Sequence, residues 1–147
     1  MRKFVGAVLL PLSLWVPAVH AEANPMREMM IEMGGGLLKG KKLDRAIEEA
    51  DKSPLGSREN PVRVIMPTGQ RAYLSRLRCV AGDAPTFART GSMGAGPFGG
   101  IIDLYAVKCV DQDAVDIYMD MYHESNETRI VPGFNGDDAV GKDVVTS

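Results

Sequence analysis

RAYLSRLRC, residues 71–79, and IIDLYAVKCV, residues 101–110, decide how this chain is read. Each run closes on one of the two cysteines, Cys79 and Cys109. In an extended strand, Tyr73, Leu77 and Cys79 share one face, and so do Tyr105, Val107 and Cys109. Between the runs lies a long loop ending in RTGSMGAGPFGG, residues 89–100. The segment reads as two strands pinned by one disulfide and carrying a glycine-rich loop.

The disulfide follows from the address at the front of the chain. Arg2 and Lys3 precede an apolar run, Phe4 to Val16, that is too short to cross a bilayer. Val19 and Ala21 then sit at the −3 and −1 positions of a small-residue cleavage site. This is the pattern of a secretory signal peptide over residues 1–21, cut after Ala21. The expected destination is periplasmic or extracellular, where two lone cysteines pair. Metal or redox pairs want closer spacing or further ligands. The bond closes a loop of about 30 residues and contributes roughly 3–4 kcal/mol in the chain-entropy model. No later stretch is apolar enough to act as a membrane anchor.

Removing Arg2 and Lys3 moves the formal net charge from −2 to −4. Net negative charge without a basic patch argues against nucleic-acid and anionic-membrane partners. The processed chain keeps no tryptophan, and His123 is its one histidine. Its 126 residues suit a single domain with a modest core.

The spacing predicts a helical segment and linker over 22–58. Asn24 and Pro25 read as N-cap and first helical residue. Met26, Met29, Met30 and Met33 follow at helical spacing, until Gly34, Gly35 and Gly36 stop or bend the helix. Leu43, Ala46, Ile47 and Ala50 mark a second amphipathic helix ending near Lys52. Residues 53–57, SPLGS, are a linker. A disulfide-pinned β-rich domain is expected over 59–134. Its strands are Val62 to Met66, Arg71 to Cys79 after a turn at Pro67 to Gln70, Ile101 to Val110, and Asp116 to His123, with a brief fifth at Arg129 to Val131. Residues 135–147 read as a flexible tail. No internal repeat or low-complexity tract stands out. The predicted fold is α+β: two short N-terminal helices and a small, curved, mostly antiparallel sheet of four to five strands.

Three functional readings arise. In the first, the glycine-rich loop meets a partner, with Arg89 and Ser92 for polar contacts and Phe98 as an apolar anchor. The loop lacks the lysine and the strand-to-helix setting of a phosphate-binding loop, so no nucleotide or other cofactor is expected. The partner is another envelope protein, which this chain contacts or inhibits without catalysis. In the second, Met119, Met121 and His123 share a strand face and offer soft ligands to Cu(I) or Ag(I). Met-x-Met with a nearby histidine resembles the ligand set of small periplasmic copper and silver chaperones. Those proteins also set a tryptophan over the metal, which the processed chain lacks. Core filling is the simpler use of such methionines. In the third, a small hydrolase uses Ser92 as nucleophile and His123 as base, with Asp103 or Asp120 orienting it. Asp120 and His123 meet only if their strand is irregular. Asn126-Glu127-Thr128 is a glycosylation sequon, relevant only in a eukaryotic secretory pathway.

Overall fold

The computed structural model describes residues 23–32 and 35–137. The expected signal peptide and the last ten residues of the expected tail lie outside them. The fold is α+β and, among the described residues, has three helices, a mixed four-stranded sheet and a two-stranded sheet. In chain order these are α1 (Pro25–Glu32), α2 (Gly40–Ala50), β1 (Val62–Arg63), α3 (Met66–Ser75), β2 (Leu77–Arg78), β3 (Thr86–Ala95), β4 (Ile101–Lys108), β5 (Val115–Asp120) and β6 (Asn135–Gly136). The main sheet runs β1-β5-β4-β3, and β2 pairs with β6. Only β1 and β5 are parallel within the main sheet; the β5–β4 and β4–β3 pairs are antiparallel.

The two N-terminal helices fall where their spacing puts them. Asn24 caps α1, its Oδ1 accepting the Arg27 N–H at 3.1 Å. The buried side of α1 is not the methionine stripe. Arg27 is buried and donates to the carbonyls of Tyr122 and Leu38, while Met29 is exposed. Met33 lies outside the described residues.

Residues 71–79 correct the sequence reading. Most of this run belongs to α3, and only Leu77 and Arg78 are strand. Tyr73 and Leu77, four apart, suit a helix face as well as alternate positions of a strand. Pro67 resolves the choice, because proline just inside a helix start has a pre-set φ and lacks only an N–H the helix does not need. Gly69, inside α3, lets the helix lie close on the side chains of Asn126 and Val64. A Cβ there would meet Asn126 Oδ1 at 2.8 Å and Val64 Cβ at 3.2 Å.

One face of the sheet packs under α3. Its core joins Val62, Val64, Tyr73, Leu74, Leu77, Tyr105, Val107, Ile117, Met119 and Val131. Register explains the choice: Tyr105 faces Ile117, Val107 faces Val115, and Val62 faces Met119. Alternation sends Ile102, Leu104 and Asp120 to the opposite face. Phe98 and the chain near Leu37 cover part of that side: Leu38 donates its N–H to the Phe98 carbonyl, and a Cβ on Gly100 would touch Leu37, Tyr122 and Asp120.

Cys79 and Cys109 form the expected disulfide, with Cα atoms 5.9 Å apart. The strands that precede them belong to different sheets, so the bond ties the β2–β6 pair to β4 of the main sheet. The predicted fifth strand at Arg129 to Val131 is not one. The partner of β2 is instead Asn135–Gly136, at the start of the expected tail.

Candidate functional site

The glycine-rich region is mostly strand. β3 runs from Thr86 to Ala95, and only residues 96–100 turn back toward β4. Glycines in a strand often mark bulges, and here the pairing slips twice, between Arg89 and Gly91 and between Ser92 and Ala95. The first slip has a chemical result. Arg89 faces Tyr105 and Ser92 faces Asp103. Tyr105 and Asp103 are two apart on β4, so the extra residue puts Arg89 and Ser92 on the same side.

Asp103 gathers them. Its Oδ1 accepts from Arg89 Nη2 at 2.7 Å and from Ser92 Oγ at 3.1 Å. Its Oδ2 accepts from Gln70 Nε2 at 3.0 Å, and Gln70 Oε1 accepts from the Tyr105 hydroxyl at 3.0 Å. Asp103, Gln70 and Tyr105 are buried, whereas the Arg89 side chain is 48% exposed. Burial pushes the Asp103 carboxyl up. Hydrogen bonds from Arg89, Gln70 and Ser92, with the Arg89 charge, outweigh that and hold it below the usual carboxylate range. The same hydrogen bond raises Arg89. A fixed acid thus holds a guanidinium at the surface edge of the sheet.

Phe98 does not stand beside them. It is 2% exposed, with its ring 5.0 Å from that of His123 in an edge-to-face contact and the Arg63 guanidinium 5.5 Å from its centroid. The expectation of Phe98 as an apolar anchor at a partner surface needs an exposed ring, which this burial does not give. The chain around Gly36–Leu38 covers it instead.

Met119, Met121 and His123 have different surroundings. Met119 is in the core under α3 and Met121 borders it. β5 ends at Asp120, whose Oδ1 accepts the Tyr122 N–H at 2.9 Å and bends the chain. That irregularity brings His123 Nε2 to 3.5 Å from Asp120 Oδ2, a fully buried oxygen with no hydrogen-bond partner. Among the described residues no group of three or more His, Cys, Asp or Glu side chains could hold a metal ion. Ser92 hydrogen-bonds within the Asp103 network and His123 sits with Asp120, so the residues of the hydrolase reading fall into two separate networks.

A third network is structural. Glu127 lies between Arg63, at 3.0 Å, and Arg129, at 2.9 Å, while Asp51 also meets both arginines. Burial raises the Glu127 carboxyl, but the hydrogen bonds and charge of Arg129, with the charge of Arg63, win and bring it down to about 2.

The edges of the sheet differ. On the outer side of β1, the Arg63 carbonyl accepts the Glu127 N–H and the Ile65 N–H donates to Asn126 Oδ1. β3 is the other terminal strand. Among the described residues no backbone hydrogen bond reaches it from outside β4, and Arg58 touches only its far end, at the Met93 carbonyl.

The surface near the disulfide was not singled out from the sequence. CVAGDA, residues 79–84, and CVDQDA, residues 109–114, share Cys, Val, Asp and Ala at the same positions. Each hexapeptide leaves its strand through a turn, aided by positive φ at Gly82 and at Asp111. The turns leave Val80 76% and Val110 74% exposed. This short repeat was the available signal.

The chain matches no protein-family model, no curated protein and no solved structure.

Proposed function

We propose that this chain is a non-catalytic binding protein of the periplasm or extracellular space. It meets an envelope protein through β3 and the turn after it, residues 86–100. The observation that carries the reading is the open outer edge of β3, ten residues long, beside an Arg89 and Ser92 held by buried Asp103. An unpaired edge strand presents a row of main-chain donors and acceptors to another chain. β3 has one charged residue and no proline, so little in it blocks pairing. The leader pattern at residues 1–21 and the internal disulfide support export. Phe87, exposed on β3, takes the anchoring role first given to Phe98.

The test is retention of envelope proteins on immobilised mature chain, repeated with Phe87→Ser and Arg89→Ala combined. The expected result is a specific partner whose recovery falls about tenfold in the variant. No retained protein, or one indifferent to the variant at unchanged thermal stability, overturns the reading.

A further inference from the structure

The register of the main sheet extends the open edge into a larger surface. Phe87, Val107 and Val115 lie in one row across β3, β4 and β5. Val107 is buried, while Phe87 and Val115 at either side of it are exposed. Two residues beyond Val107 stands Cys109, bonded to Cys79, and each cysteine is followed by its exposed valine. Among the described residues, four of the six large exposed apolar side chains, Val80, Phe87, Val110 and Val115, therefore collect at the disulfide end of the sheet. The clear half of β3, Thr86 to Arg89, ends there too; its first slip in pairing and the Arg58 contact come later in the strand.

The charges around this pole have one dominant sign. Asp83, Asp111, Asp113 and Asp116 are all exposed on the two turns and the start of β5. Among the described residues none of them is in an ion pair. Lys108 opposes them, and the Arg89 charge is met by Asp103. A second copy of this chain would bring carboxylates against carboxylates. A basic strand would meet them with opposite charge.

Resting on the partner-binding reading above, we propose that the disulfide pole is a docking surface for an extended segment of a partner protein in which apolar and basic residues alternate. The segment adds as a strand to Thr86–Arg89. Main-chain hydrogen bonds supply attachment, one set of side chains lies along Phe87 toward Val80 and Val110, and the basic set is drawn by the charge of the aspartates on the two turns.

The probe is a blocked heptapeptide alternating valine or isoleucine with lysine or arginine, measured by fluorescence anisotropy against the mature protein. The controls are the same peptide with glutamate at each basic position and a version N-methylated at alternate residues, in both phases. The expected result is saturable binding of the basic peptide alone, weakened by salt and lost in one methylated phase. Asp83→Asn, Asp111→Asn and Asp113→Asn together should weaken it about fivefold. Val80→Ser with Val110→Ser should weaken it about tenfold. Absence of binding, equal binding of the acidic peptide, or indifference to both sets of variants overturns the inference. Concentration-dependent dimerisation that the peptide does not reverse also overturns it, in favour of self-association. An envelope partner lost with Phe87→Ser and Arg89→Ala but unaffected by the pole variants would sink this chemistry and leave the binding reading standing. Failure to retain any envelope protein together with failure to bind the peptide would sink both.

Discussion

Replacing both cysteines, Cys79→Ala with Cys109→Ala, probes how the pole is held. The bond spans a sequence separation of 30 and is the covalent tie between β4 and a two-stranded sheet of only two residues per strand. Closing a loop of that length restricts the unfolded chain by about 3.6 kcal/mol in the chain-entropy form. Both cysteines are buried, so the variant also loses a small packing contribution. With a urea m-value on the order of 1.5–2 kcal/mol/M, the unfolding midpoint should fall by about 2 M. The assay is equilibrium urea unfolding of wild type and variant, followed by tyrosine emission and far-ultraviolet circular dichroism. A second readout separates global from local effects. Amide exchange in 80–85 and 110–114 should rise more than in the core strand β5, because both turns hang from the bond. A midpoint shift under about 0.5 M, with unchanged exchange in both turns, would refute the view that the bond braces this end.

Three further perturbations address other parts of the fold. Tyr73→Phe removes a buried hydroxyl that donates to the Arg129 carbonyl at 3.0 Å and accepts the Val131 N–H at 3.1 Å, and should cost about 2 kcal/mol in urea unfolding. Gly99→Ala should cost about 3 kcal/mol or more in the same assay, because φ is +84 and a Cβ would run into the Gly36 carbonyl; exchange should rise first in residues 35–39. Glu127 sets an acid limit: its folded value, about 2, lies below its ordinary 4.5, so its contribution is full above pH 4.5 and is lost as pH falls toward 2. That contribution is at most about 3 kcal/mol, and Glu127→Gln should flatten the fall in unfolding free energy across this window.

Much of this fold is legible in residue patterns because burial imposes them. Leu43, Ala46, Ile47 and Ala50 mark α2 by their spacing, and the largely apolar, β-branched and aromatic run from Ile101 marks β4. The disulfide follows from cysteine count and an expected destination. The α3 region misleads because Tyr73 and Leu77 satisfy both periods and Pro67 serves turns and helix starts alike. β3 misleads for the opposite reason: its glycines read as loop, yet they accommodate slips in a paired strand. The candidate site divides the same way. Arg89 and Ser92 could be named from composition, but their common partner Asp103 depends on register across β4. The burial of Phe98 is not legible locally, because its ring meets His123 and Arg63 and its carbonyl meets Leu38, all distant in sequence.

The most direct test of the account is amide hydrogen exchange on β3 with and without the alternating basic peptide. We expect amides within Thr86–Arg89 that face away from β4 to exchange rapidly in the free protein and to slow when the peptide is bound. Peptide binding that leaves those amides unchanged, or protects another segment instead, would contradict it.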